Sequence, residues 1–119
     1  MKSEIARDDV VSLNVGNMAI DSVSRSVTKD GHRIRLTWAE FELLWLLAMN
    51  SGRVVSRDEL FKRLVGVDYN GLDRTIDVRV SRLRRKLEPN PGTPQIIQSV
   101  RSEGYCFTIT PKPEDSGKT

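Results

Sequence analysis

The spacing of apolar residues divides the chain into a strand-rich part and a helix-rich part. Between residues 13 and 36, short runs with a period of two are separated by turn residues. Asp30-Gly31 lies between two such runs, which is a strong signal for a β-hairpin. In the run before it, we expect Val23, Arg25 and Val27 to share one face of a strand. The pattern predicts a small antiparallel sheet of three or four strands.

Two short motifs predict where the first two helices begin. In Thr37-Trp38-Ala39-Glu40 the hydroxyl can accept from the third backbone amide while the carboxylate reaches back, which is a capping box. The same pattern starts at Ser56. The first predicted helix, about 38–50, is apolar nearly all round, so we expect it to be buried, with its two tryptophans in the core or at its edge. The second predicted helix is 57–64.

A third predicted helix, 73–87, has one apolar stripe and one basic face. We expect Asp73 to be its N-cap, and Pro89 and Pro91 to prevent its continuation. Residues spaced by four, three and four form the stripe that faces the core: Ile76, Val80, Leu83 and Leu87. Helical geometry places five residues on the opposite face: Arg74, Val78, Ser81, Arg82 and Arg85. Three further cations flank that face: Arg79, Arg84 and Lys86.

The charge of the chain is concentrated in this third helix. The chain has a net charge of +3, and the segment 73–87 holds six basic and two acidic residues, so it carries +4 and the remainder −1. A basic excess in one element is typical of a nucleic-acid binder. Arginine can contact guanine or phosphate in the major groove, and the exposed Val78 suits a thymine methyl group.

Two strand-like runs, 96–100 and 105–109, follow the basic helix and are joined by a turn at 101–104. A capped short helix, a turn, a longer basic helix and a terminal hairpin form the order of a helix-turn-helix with a wing. This order favours DNA binding. The alternative is a winged helix used only for protein–protein contact, with its basic face against an acidic partner.

Other chemistry has little support in the sequence. The chain lacks phosphate-binding loops and the common hydrolase motifs, so we expect no enzyme activity and no cofactor. His32 and Cys106 are the only histidine and cysteine, and we expect a surface residue and a small core residue instead of a metal site. The single cysteine favours a reducing compartment, the cytoplasm. Because apolar runs are short, we expect no membrane span and no signal peptide.

The segment 36–87 and the terminal hairpin resemble the effector domains of OmpR/PhoB-type response regulators, which are bacterial transcription factors of two-component systems. The resemblance covers about residues 12–109, and it is nearest to the RstA/BfmR branch at 41–48 and 71–74. Five stretches carry it: Leu36-Thr37 with Glu40-Phe41-Glu42-Leu43-Leu44, Val55-Ser56-Arg57-Asp58-Glu59-Leu60, Asp73-Arg74-Thr75-Ile76-Asp77-Val78, Ser81-Arg82-Leu83-Arg84-Arg85-Lys86-Leu87, and Val100-Arg101-Ser102-Glu103-Gly104-Tyr105.

The resemblance implies an α+β winged helix-turn-helix with an N-terminal antiparallel four-stranded sheet, three helices and a C-terminal β-hairpin wing. It implies that residues 1–11 are the remnant of an interdomain linker and that 12–109 form the DNA-binding domain. We expect the polar tail, 110–119, to be disordered.

The resemblance also implies roles for individual residues on promoter DNA. Arg82 matches a position that commonly reaches a base. Arg101, near the wing, is implied either to contact DNA or to pair with Asp77. Including Val78, the expected DNA-binding set is Arg74, Thr75, Val78, Arg79, Ser81, Arg82, Arg85 and Arg101. The segment expected to meet RNA polymerase is Val65, Gly66, Val67, Asp68, Tyr69, Asn70 and Gly71.

The implied partners are double-stranded promoter DNA, RNA polymerase, and a sensor histidine kinase acting through a receiver domain outside this chain. We expect the domain alone to be a monomer. On direct-repeat promoter sites we expect a tandem, head-to-tail dimer, with half-sites about one helical turn apart.

Overall fold

A computed structural model describes residues 11–66, 70–71, 73–108 and 112–113. Its first part is an antiparallel sheet whose strands follow one another in sequence and in space: β1 (Ser12–Val15), β2 (Met18–Asp21), β3 (Ser26–Lys29) and β4 (His32–Ile34). The hairpin predicted at Asp30-Gly31 is confirmed, because Lys29 pairs with His32 across it. Both turn residues have positive φ, 55° and 79°, as a two-residue turn of this kind requires.

One face of this sheet contributes to the core, as the period-two pattern predicts. Its buried residues are Leu13, Val15, Met18, Ile20 and Val27. The expectation that Val23 and Arg25 precede Val27 on one strand face is wrong. The chain instead turns at 22–25, where Asp21 accepts a hydrogen bond from the amide of Val23 at 2.8 Å, and Val23 is 76% exposed. Arg25 has φ of 55°, so the strand begins only at Ser26.

Three helices follow: α1 (Trp38–Met49), α2 (Arg57–Leu64) and α3 (Thr75–Leu87). The first capping box is confirmed, because Thr37 Oγ1 accepts from the Glu40 amide at 3.1 Å and Glu40 Oε1 accepts from the Thr37 amide at 3.0 Å. α1 is the central helix, with Phe41 and three leucines buried. The expectation for its tryptophans is half right: Trp45 stacks on Phe41 at the core edge, but Trp38 is 63% exposed.

Helix α2 begins where its motif predicts, but only half of the second capping box forms as expected. Ser56 Oγ accepts from the Glu59 amide at 3.0 Å. The Glu59 carboxylate turns instead to two arginines, Arg53 at 3.3 Å and Arg63 at 3.7 Å. Leu60 and Phe61 anchor the helix in the core.

A second sheet contains the wing and one strand that the sequence pattern did not predict. The wing hairpin consists of β6 (Ile97–Val100) and β7 (Gly104–Phe107), and β7 also pairs with β5 (Val54–Ser56), so the order is β5-β7-β6. The approach of β5 to β7 requires glycine at 104. A Cβ atom added there would lie 2.0 Å from the carbonyl oxygen of Val55.

The end of the described chain adds a fifth strand to the first sheet. β8 (Lys112–Pro113) pairs with β1, and the strand order becomes β4-β3-β2-β1-β8. For these two residues the expectation of disorder is wrong, and the predicted four-stranded sheet has one strand more. The rest of the expected tail, 110–111 and 114–119, and residues 1–10 of the expected linker at 1–11, lie outside the described residues.

Helix α3 packs its predicted stripe against the core: Ile76, Val80, Leu83 and Leu87 are all buried. Two sets of hydrogen bonds hold the C-terminal end of α3 in place. Lys29 Nζ donates to the carbonyl of Leu87 at 2.7 Å. The buried carboxylate of Glu88 accepts from the amides of Gln95, Ile96 and Ile97, which lead into the wing. The orientation of α3 relative to the sheets is therefore fixed.

Candidate nucleic-acid interface

The first turn of α3 begins at Thr75, later than the predicted start. Asp73 Oδ1 accepts from the backbone amide of Thr75 at 2.8 Å and from its hydroxyl group. This side chain closes a turn over residues 73–75, so the N-cap is Arg74, one residue later than the predicted Asp73. The carboxylate still lies beside the helix N-terminus, where a negative charge is favourable.

The outward face of α3 is as the helical geometry predicts. Arg74 has a side chain that is 81% exposed, and Val78 is 44% exposed. Thr75 and Arg79 are half-buried at its margin. The other residues of the face are exposed: Ser81, Arg82 and Arg85. A shallow depression in this face is lined by Val78, Arg82 and their neighbours toward the helix start.

Two of the three flanking cations are used inside the fold. Arg84 donates from Nε and Nη2 to the carbonyl of Ile97 at 3.1 and 2.8 Å, and from Nη2 to Ser99 Oγ at 2.9 Å. Lys86 Nζ lies 2.7 Å from Glu40 Oε1. These side chains join α3 to the wing and to α1. In contrast, Arg79, Arg82 and Arg85 form no ion pair with the part of the chain that the structure describes.

Asp77 is the point where α2, α3 and the wing meet. Its Oδ1 accepts from Arg57 Nε at 2.9 Å and from the hydroxyl of Tyr105, and its Oδ2 lies 3.6 Å from Arg74 Nε. Burial alone would raise the pKa of Asp77, but hydrogen bonds from Tyr105 and Arg57 outweigh it and hold the pKa below its usual value. Burial and the contact with Asp77 raise the pKa of Tyr105, so the phenol stays protonated and donates.

These contacts decide one alternative left open by the sequence. Asp77 is bound by Arg57, Tyr105 and Arg74, and among the described residues Arg101 is not one of its partners. The alternative in which Arg101 pairs with Asp77 is therefore not the one that the structure has. Arg101 is instead exposed in the turn between β6 and β7, beside Ser102, whose φ is 66°. The role of Arg57 as the partner was missed because it comes from a different helix.

The loop between α2 and α3 is described only at its ends. Val65 follows α2 and is exposed, and Gly66 has φ of 97°. Asn70 Oδ1 accepts from the Asp73 amide at 3.0 Å, and Gly71 has φ of 84°. The remaining residues of the predicted polymerase-contact loop lie outside the described residues: Val67, Asp68 and Tyr69.

A second basic surface was not predicted from the sequence. It lies on the first sheet, where Arg25, Arg33 and Arg35 surround Ile34 and Leu36 in an open depression. The guanidinium carbon of Arg25 lies 3.7 Å above the ring of the exposed Trp38. The sequence pattern could not predict this contact, because the position of Arg25 depends on the turn at 22–25 and not on any periodic spacing. Both surfaces leave cations facing solvent.

Two other kinds of site are absent from the described residues. They contain no group of three or more His, Cys, Asp or Glu side chains that could hold a metal ion. Within the same part of the chain, no helix has the length and apolar character needed to cross a bilayer. His32 is exposed at the β3–β4 turn, and Cys106 is half-buried in β7.

Comparison with known proteins agrees with this architecture. Residues 31–107 match the family model described as "Transcriptional regulatory protein, C terminal". The transcriptional regulatory protein RstA of Escherichia coli is 48% identical over 96 residues, covering 81% of this chain and 40% of RstA. The chain thus spans well under half the length of that relative.

Two examples among the similar solved structures each cover more than four fifths of this chain. The RstA DNA-binding domain of Klebsiella pneumoniae, crystallised in complex with the RstA box, has a TM-score of 0.79 and 43% identity, over 82% of this chain and 96% of that domain. The C-terminal effector domain of BfmR from Acinetobacter baumannii has a TM-score of 0.68 and 46% identity, over 83% of this chain and 91% of that domain.

Proposed function

This chain belongs to the family of C-terminal domains of transcriptional regulatory proteins, and we propose that it binds double-stranded promoter DNA through the outward face of α3. One observation carries the proposal. The fold uses Arg84 and Lys86 internally, yet it leaves Arg79, Arg82 and Arg85 exposed or half-exposed around Val78. An α-helix with such a face fits the major groove of B-DNA.

The residues of this face would have different roles in DNA binding. Arg82, exposed on this face, would contact a base edge, and Val78, one turn earlier, would pack on a thymine methyl group. Five residues would contact phosphates and hold the helix in register: Arg74, Thr75, Arg79, Ser81 and Arg85. Arg101, exposed on the wing, would meet the neighbouring backbone. The supporting evidence is that these side chains are exposed or half-buried on the outward face of α3 and in the wing turn, in a chain that matches this family.

Further partners belong to the same proposal. The loop at 65–71 would contact RNA polymerase. A sensor histidine kinase would act through a receiver domain, in a longer protein of the kind to which RstA belongs. Two copies, each monomeric alone, would pair head-to-tail on direct repeats, in the cytoplasm of a bacterium. The similarity to response regulators of the OmpR/PhoB type supports these assignments.

The test begins with selection of bound sequences from a random DNA pool. The domain should then retain the selected duplex in the presence of excess unrelated DNA, with an affinity that falls steeply as salt rises from about 50 to 200 mM. The triple variant Arg79→Ala, Arg82→Ala, Arg85→Ala should lose this binding. Arg33→Ala, which removes one exposed charge from β4, is the control and should bind normally.

A module used only for protein contact gives a different result. It would show no retained complex with any duplex in the pool, at any salt concentration in this range. The triple variant and Arg33→Ala would then behave alike. Absence of a retained complex, or equal DNA binding by the triple variant and Arg33→Ala, contradicts the proposed function.

A further inference from the structure

The two oxygens of Asp77 face different partners. Oδ1 takes both interior donors, Arg57 from α2 and the buried Tyr105 from β7. Oδ2 faces Arg74, at the start of α3, across 3.6 Å. One carboxylate therefore connects the interior of the domain to an arginine on the proposed DNA-binding face.

Arg74 is held much more loosely than Arg57. Its side chain is largely exposed, whereas the side chain of Asp77 is mostly covered. An exposed ion pair of this length is easily broken by a competing anion. A DNA phosphate is such an anion, and it forms strong hydrogen bonds with guanidinium groups.

We propose that Asp77 is a positioning residue for DNA binding. It holds Arg74 against α3 in the free domain and releases Arg74 to a DNA phosphate. The hydrogen bonds that Asp77 accepts from Tyr105 and Arg57 set the strength of its interaction with Arg74. The inference rests on the proposed function. Each donor to Oδ1 draws negative charge away from Oδ2, so the hold on Arg74 weakens. The lowered pKa of Asp77 agrees, because hydrogen bonds from Tyr105 and Arg57 outweigh the effect of burial.

Two substitutions should change DNA affinity in opposite directions. Asp77→Asn keeps the shape of the side chain but removes the charge that competes with phosphate. It should tighten binding to unrelated duplex DNA roughly threefold and steepen the salt dependence, even though the domain becomes less stable. Tyr105→Phe keeps the ring beside the guanidinium groups of Arg57 and Arg84 but removes the hydroxyl. It should weaken binding by a similar factor.

Both effects should depend on Arg74. In the Arg74→Ala background, the same two substitutions should change affinity by less than about twofold. Ser99→Ala is the matched control, because it removes a hydrogen bond from Arg84 to the wing without touching Asp77. Fluorescence anisotropy with a labelled duplex measures affinity, at a temperature where circular dichroism shows that every variant is folded.

The outcomes separate this inference from the proposed function. If Asp77→Asn weakens binding, or if either effect persists in the Arg74→Ala background, Asp77 is a purely structural residue and the inference is overturned. If the unaltered domain binds no duplex, the proposed function fails first and this inference fails with it. Opposite signs that disappear without Arg74 support the inference.

Discussion

The ammonium group of Lys86 lies 2.7 Å from Oε1 of Glu40, so the last turn of the basic helix α3 is fastened to the first turn of the buried helix α1. Glu40 is only 4% exposed and also closes the capping box with Thr37. A nearly buried carboxylate left without its cation destabilises a fold. Lys86 is therefore expected to act in stability and not in DNA binding.

Adjacent substitutions at the end of α3 should separate these two roles. Lys86→Met should lower the free energy of unfolding by about 1 kcal/mol, a value reduced because the lysine is partly exposed to solvent. Its affinity for the selected DNA site should change little. Arg85→Met, one residue earlier and exposed, should do the reverse. Urea denaturation and fluorescence anisotropy measure the two quantities, and a large loss of affinity with Lys86→Met would count against this division.

Stability should fall in acid because the carboxylates of Glu40 and Asp77, which are buried or half-buried, have lowered pKa values. Burial opposes the shift at Glu40, but the hydrogen bond from Lys86 and those involving Thr37 outweigh it, and the pKa lies below its usual 4.5. The pKa of Asp77 likewise lies below its usual 3.8. Such groups contribute stability at pH above the pKa of the unfolded chain, and the contribution is lost as pH falls through the lowered, folded-state pKa.

Urea denaturation at a series of pH values measures this loss. The free energy of unfolding should change little between about pH 6 and 8 and should decrease below about pH 5. Glu40→Gln should be less stable at neutral pH and should lose less in acid than the unaltered domain. Parallel curves for the two proteins would show that Glu40 makes no such contribution.

Gly104→Ala should be the most disruptive small substitution in the wing. The added methyl group would lie 2.0 Å from the backbone carbonyl oxygen of Val55, and backbone atoms cannot move away as a side chain can. We expect a loss of more than about 3 kcal/mol, or failure to fold. Gly92→Ala is the control, since its nearest contact is the Asn90 side chain at 3.3 Å. Equal melting temperatures for the two variants would contradict the close approach of β5 and β7.

Arg82 and Arg74 should lose different components of DNA binding. Arg82→Ala should cost roughly 1–3 kcal/mol on the selected site and relax base preference at one position. Arg74→Ala should weaken all duplexes alike and lower the salt slope by about one unit. Binding to a panel of single-base variants of the selected site, measured at several salt concentrations, distinguishes them. Full base preference in Arg82→Ala would refute its assignment to a base edge.

Features set by neighbouring residues were predictable from the sequence. The Asp30-Gly31 turn, the Thr37–Glu40 capping box and the apolar stripe of α3 all depend on residues that are close in sequence, within about three helical turns even for the stripe. Local backbone chemistry and helical spacing are sufficient to specify them. The outward orientation of Arg74, Val78, Arg82 and Arg85 follows directly from that stripe.

Strand β5 shows where this kind of prediction fails. It has three residues, too few for a period to be visible, and it exists because it pairs with β7 about fifty residues away along the chain. The exposure of Trp38 was missed for a similar reason. A helix that is apolar all round gives no indication of which side remains open, and the turn at 22–25 places Arg25 over that ring.

By itself the sequence determined that one helix carries a basic face opposite an apolar stripe, because both follow from residue spacing within that helix. Only the tertiary structure decided which of its cations remain available. Arg84 donates to the carbonyl of Ile97, 13 residues away along the chain, and Lys86 donates to the carboxylate of Glu40, 46 residues away. In contrast, Arg79, Arg82 and Arg85 remain exposed or half-buried at the outward face of the helix. These five residues are all cations of one helix, and they differ because the packing of α1 and the wing presents oxygen acceptors to two of them and not to the other three.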